Sequence, residues 1–155
     1  KLREIKPHVA VWWKSGAQHA QLMKDGEVDM TSGWNGRFDV AKKDGAKVSY
    51  TFEDGLLDFD CFAIPKGAPN VELAMKFLNV ISSAEMQANL PKYITYGPSN
   101  KAAYDLGMID EALARSLPSH PDNAALQRTV DEEALVWYEK FDKKASAMFQ
   151  DMLTE

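Results

Sequence analysis

The stretch EVDMTSGWNGRFDVAKKDG, Glu27–Gly45, decides the fold class. Glu27 to Trp34 places Val28 and Met30 on one face and predicts a strand. Asn35-Gly36 then turns the chain, Arg37 to Lys43 predicts a short amphipathic helix, and Asp44-Gly45 closes it. On the N-terminal side, His8 to Trp13 is apolar and aromatic, follows Pro7, and predicts another strand. Ser15 is an N-cap for a helix to about Lys24, stopped by Asp25-Gly26. On the C-terminal side, Lys47 to Phe52 predicts a further strand. Strands alternating with helices in this way signal an α/β architecture.

Beyond this region, Leu56 to Pro65 (LLDFDCFAIP) is the most apolar stretch and predicts a buried strand ended by Pro65. Lys66 to Asn70 is a turn. Val71, Ala74, Met75 and Leu78 follow at i, i+3, i+4 and i+7, the spacing of a helix with one core face. Ser82-Ser83-Ala84-Glu85 has the form of a capping box for a helix to about Leu90. Pro91 to Asn100 is a loop holding Tyr93 and Tyr96. Residues 101–133 predict short helical pieces and loops, with Pro118 and Pro121 as breakers. A last helix, from about Ala134 to Leu153, aligns Trp137, Phe141, Ala145, Met148 and Met152 in one stripe.

The 155 residues, 45% of them hydrophobic and 26% charged, suffice for one domain with a core. Eighteen basic against 23 acidic residues give a formal charge of −5, without the basic excess of a nucleic-acid binder. No apolar run approaches the roughly 20 residues of a membrane span. The single cysteine, Cys61, excludes an internal disulfide and a multi-cysteine zinc site, and leaves the compartment open. The nucleophile-elbow, P-loop, dinucleotide and H-E-x-x-H motifs are absent. His8, His19 and His120 are scattered and read as surface or hydrogen-bonded structural residues. Asp25, Glu27 and Asp29 fail as a calcium loop, because Met30 and Gly36 stand where Gly and Glu are required. Asp131-Glu132-Glu133 is a solvated helix start. No catalytic residue, metal or cofactor is expected.

Three constellations bear chemistry. Trp34-Asn35-Gly36-Arg37 lies at the carboxyl end of a predicted strand, where open α/β sheets bind ligands. Arg37 falls in the first turn of the next helix, where a cation opposes the dipole. It either points into solvent or recruits a carboxylate together with the helix N-terminus. Asp60 sits within the apolar run Phe59 to Ile64, where an unpaired carboxylate costs several kcal/mol. It is either hydrogen-bonded at the strand's entrance or awaits an organic ammonium ion, with Asp58 two residues earlier able to assist. Tyr93 to Asn100 supplies aromatic residues that, with Trp34, form either a cage for an ammonium group or a core beneath a loop.

In their order, Gly26-Glu27-Val28-Asp29-Met30, Trp34-Asn35-Gly36, Asp60-Cys61-Phe62-Ala63-Ile64-Pro65 and Tyr96-Gly97-Pro98-Ser99-Asn100 resemble the periplasmic solute-binding proteins of ABC transporters. The likeness is to the spermidine/putrescine branch and extends to Trp137-Tyr138 and Phe149. It implies the type II periplasmic-binding-protein fold, two α/β lobes with hinge crossovers that close on the ligand. It also implies periplasmic localisation, a permease partner, a full-length monomer and no enzymatic activity. Trp34 would lie against the ligand, Asp60 would bind an amine and Tyr96 would line the cleft.

Two positions depart from the polyamine pattern. Asp58 stands where an aromatic residue is common, and Arg37 replaces a small or neutral one. A guanidinium repels the distal ammonium of a diamine and pairs bidentately with carboxylate. Arg37 and Asp60 together therefore suit an ω-amino acid such as 4-aminobutyrate, with a polyamine as the alternative. An α/β enzyme using Asp58 and Asp60 as an acid–base pair is the alternative of another class. Family members are about twice this length, and Lys1 to Pro7 reads as the end of a helix already under way. The resemblance thus implies a C-terminal half, with residues 1–54 in lobe 2, 55–106 in lobe 1, 107–155 back in lobe 2, and an N-terminal half as its partner.

Overall fold

The computed structural model describes residues 1–155. Helix α1 (Leu2–Ile5) runs into a 3-10 turn at Lys6–His8. Helix α2 (Gly16–Lys24) starts where expected, because the Ser15 hydroxyl accepts the Gln18 amide, and Gly26 follows its end at φ +68°. Helix α3 (Asn35–Lys43) begins two residues before the expected start, with Trp34 as an extended N-cap residue. Strand β1 (Leu56–Leu57) precedes α4 (Val71–Ile81) and α5 (Ala84–Asn89), and Ser83 caps α5 by accepting the Met86 amide. Short helices α6 (Ala102–Asp105), α7 (Glu111–Ser116) and α8 (Pro121–Ala124) follow, then strand β2 (Arg128–Thr129). Helix α9 (Glu132–Thr154) is capped by Asp131, whose carboxylate accepts the Ala134 amide.

The strands depart from expectation. Only Leu56 and Leu57 enter a ladder, parallel to Arg128 and Thr129. Residues 10–13, 28–33, 47–51 and 58–64 make no backbone–backbone hydrogen bond. A strand exists only through its neighbour, and none of these four stretches pairs its backbone with another segment of residues 1–155. The run Leu56 to Pro65 is accordingly not buried: Phe59 is 59% exposed, Phe62 72%, and Cys61 and Asp60 are exposed as well. The expected core face of α4 is also incomplete. Ala74 and Leu78 are half-buried, but Val71 and Met75 are exposed, as are Leu73, Phe77 and Val80.

Burial is confined to small clusters, 11 residues in all, so the single continuous core expected from composition is absent. Gly16, His19, Gly36, Phe38 and Ala41 form one cluster, between α2 and α3. Ala88, Pro91, Pro98, Ala103 and Leu117 are buried on or around α5, α6 and α7. There the Ser119 hydroxyl donates to the Pro98 carbonyl at 2.9 Å and meets the Tyr104 hydroxyl at 2.8 Å. The two ends of the chain are tied together. Lys6 Nζ donates to the Met152 carbonyl at 2.6 Å, and Trp12 packs edge-on against Phe149 at 5.5 Å. Arg3 binds Glu155 through Nε and Nη2. Of the apolar stripe on α9, Met152 is buried, whereas Trp137 and Met148 are each about half exposed.

Candidate functional site: the Trp34–Arg37 wall

The site is built on glycines. Gly16 opens α2, and a Cβ there would lie 2.8 Å from Cε3 and Cζ3 of Trp34 and 3.4 Å from Nε of Arg37. The bare Gly16 backbone therefore lets the indole and the guanidinium of α3 come down onto the first turn of α2. Two nine-residue helices meet here by their N-termini, where unpaired N–H groups and the helix dipoles favour negative charge. Arg37 is exposed and enters no ion pair or side-chain hydrogen bond. The positive ends of two helices and one unpaired guanidinium make the potential here favourable to negative charge.

Tyr96 joins the wall across Gly36. A Cβ on Gly36 would stand 2.6 Å from Cε1 of Tyr96 and 3.1 Å from Cγ1 of Ile94. Polar bonds fix this loop against α3. Asn35 Nδ2 donates to the Thr95 carbonyl at 2.7 Å, and the Thr95 hydroxyl donates to Asp39. The Tyr50 hydroxyl donates to the same Asp39 carboxylate at 2.8 Å. Burial, and then the Asp39 bond, push the Tyr50 hydroxyl well above the usual tyrosine range. Gly36→Ala is therefore expected to force Tyr96 off α3, destabilising the protein by about 1–3 kcal/mol. Thermal unfolding checks this as a fall in Tm of roughly 2–10 °C.

The structure thus brings Trp34 and Arg37 together over Gly16 and sets Tyr96 against the neighbouring Gly36. Asp58 and Asp60 are exposed, and no hydrogen bond or ion pair links them to that wall. Asp58 Oδ1 accepts only the Phe59 amide, at 2.9 Å, and Asp60 has no ionic partner. The burial expected for Asp60 fails because its stretch has no neighbouring strand, so its charge remains hydrated and available. No group of three His, Cys, Asp or Glu residues is arranged to hold a metal ion.

Sequence reasoning missed Gly16, Asp39 and Trp13. It also assigned His19 to the surface or to a hydrogen-bonded structural place. His19 is fully buried, and neither ring nitrogen has a hydrogen-bond partner. Only Gly33 carried a signal, as a side-chain-free residue in a predicted strand, which marks a close approach. His19 is what approaches: a Cβ on Gly33 would lie 2.5 Å from its ring.

The family of bacterial extracellular solute-binding proteins matches residues 1–117. The gamma-aminobutyric acid-binding protein of Pseudomonas aeruginosa is 35% identical over 133 residues, covering 86% of this chain and 37% of that protein. The spermidine/putrescine-binding periplasmic protein of Escherichia coli K12 is 27% identical over 150 residues, covering 92% of this chain and 42% of that one. The crystal structure of an ABC transporter substrate-binding protein from Bradyrhizobium japonicum USDA 110 superposes with a TM-score of 0.91 at 46% identity. That match covers 97% of this chain and 46% of the other. The chain thus spans less than half the length of each. These proteins are solute binders and not enzymes, which removes the acid–base reading of Asp58 and Asp60.

Proposed function

We propose, from the premise that this chain belongs to the bacterial extracellular solute-binding protein family, that it captures an ω-amino acid such as 4-aminobutyrate for an ABC importer. It has the type II periplasmic-binding-protein fold, works in the periplasm and performs no chemistry on its ligand. The observation that carries the ligand reading is the free Arg37 guanidinium beside Trp34, where two helix N-termini converge. A carboxylate docked there gains a bidentate charged hydrogen bond and two dipoles. Asp60, charged and unpaired, is the anchor for the ammonium end, with Asp58 as a second carboxylate near it in sequence. Trp34 and Tyr96 supply the aromatic walls against which an alkyl chain and an ammonium group pack.

A polyamine is the second reading, favoured by the similarity to a spermidine/putrescine-binding protein. Arg37 opposes it, because a diamine would bring an ammonium group to a guanidinium. Titration calorimetry of the intact protein with 4-aminobutyrate, putrescine and spermidine tests the choice. Tighter binding of the amino acid is the expected result, and preference for putrescine would overturn it.

The same reading divides the chain between two lobes at about residues 54 and 106, which implies a cleft that needs more than this chain. Leu56 and Leu57, just past the first boundary, pair with Arg128 and Thr129, and hinge strands of this kind would connect the lobes. The unpaired stretches at 10–13, 28–33 and 58–64, and the exposed side of α4, suit cover by the remaining part of a protein twice as long. The intact molecule is then a monomer that docks on a membrane permease. By itself, the 155-residue chain is expected to bind 4-aminobutyrate roughly a hundredfold or more weakly than the intact protein, since half the desolvating wall is lost. Equal affinity in calorimetry would refute the need for the remaining half.

A further inference from the structure

His19 is the one polar side chain in the buried set, and both of its ring nitrogens lack partners. It packs as an aromatic residue, with ring centroids 4.9 Å from Trp13, 5.8 Å from Trp34 and 5.0 Å from Phe38. Phenylalanine would fill this space without stranding two polar atoms, so packing alone does not call for histidine. What histidine adds is a charge that can be switched near neutral pH.

We infer that His19 is a positioning residue for the binding wall: its uncharged ring holds Trp34 and Arg37 in their binding arrangement, and its protonation releases them together with the solute. The inference rests on the solute-binding reading of Trp34 and Arg37. Protonation would put a charge into a fully buried site where neither ring N–H has a hydrogen-bond acceptor, near a second cation, Arg37. Burial, and then the Arg37 guanidinium, hold the imidazole below the ordinary histidine value of 6.5. Other charged groups on the surrounding elements do not counter this. Asp39 on α3 is engaged by Tyr50 and Thr95, and Lys24 and Asp25 on α2 are bound to Asp44 and Gln21. Lys14, Glu27 and Asp29, on the two stretches that flank α2, make no hydrogen bond or ion pair with the ring.

The sign follows from linkage. A histidine depressed in the folded state stabilises it above 6.5, and this stabilisation is lost as pH falls from there through the folded value. Because the solute binds only the deprotonated wall, affinity is expected to fall by up to about tenfold per pH unit once the pH is below the folded-state value.

The test is a pH series from 8 to 5 on the intact protein and on His19→Phe, reading 4-aminobutyrate affinity by calorimetry and tryptophan emission without solute. The wild type is expected to lose affinity and to change emission with one midpoint below 6.5. In His19→Phe both changes should vanish, and persistence of either would overturn the inference. If that variant does not fold, proton NMR of the wild type decides. The His19 ring signals, among only three histidines, must titrate together with the Trp34 indole, and independent titration overturns the inference. The emission arm needs no ligand. Absence of 4-aminobutyrate binding at every pH would therefore refute the proposed ligand, while emission still decides the role of His19.

Discussion

Replacing Arg37 with alanine is expected to weaken 4-aminobutyrate binding by roughly a hundredfold or more, with little loss of thermal stability. Arg37 is exposed and free of ion pairs, so the fold does not depend on its charge. A ligand carboxylate enclosed against Trp34 would depend on it heavily. Removing one member of an enclosed, hydrogen-bonded charge pair costs about 2–5 kcal/mol, and each ~1.4 kcal/mol is a factor of ten. Arg37→Lys should recover only part of the loss, because an ammonium ion lacks the planar fork that meets both carboxylate oxygens. Putrescine is the control: its affinity should hold or rise as the repelling cation disappears. Calorimetry with both ligands reads the result. Unchanged 4-aminobutyrate affinity in Arg37→Ala would remove the carboxylate role.

Asp60→Asn is expected to weaken both ligands, 4-aminobutyrate and putrescine alike, by roughly thirtyfold or more. The substitution keeps shape and removes the charge that an ammonium ion needs. Asp60 is exposed and unpaired here, so no internal cation competes for it. The effect on stability should be small for the same reason. Asp58→Asn should cost less, because Asp58 already accepts the Phe59 amide and its neighbouring position only adds to the field of Asp60. Full affinity for every amine ligand in Asp60→Asn would move the anchor elsewhere. Loss of 4-aminobutyrate affinity in both variants, with putrescine weakened only by Asp60→Asn, would identify a zwitterion with separated charges.

The helices were legible because their signals are local. Ser15 with Gly26, Asp131 before Ala134, and the turns at Gly45 and Gly67 set boundaries within a residue or two of those observed. Trp34 and Arg37 could likewise be picked out, since position in a first helical turn is a matter of spacing. The strands were legible only as extended preference. Val28 and Met30 alternate as strand residues should, yet neither backbone finds a partner within the chain. The same gap explains Asp60: its apolar neighbours in sequence predict burial, and neighbours in sequence do not exclude water.

By itself, the sequence determined the helix boundaries, the family resemblance through four short motifs, and the placing of Arg37 in a first helical turn. Tertiary structure alone decided that α2 and α3 meet at Gly16, that Tyr96 lies over Gly36, and that Asp39 gathers Tyr50 and Thr95. It also decided that His19 is sealed beneath Trp34 without a hydrogen bond. Capping and periodicity act over three or four residues and are written in spacing. Asn35 and Thr95 are 60 residues apart, and no spacing rule joins them. Such contacts arise only when apolar faces and polar groups settle together in space.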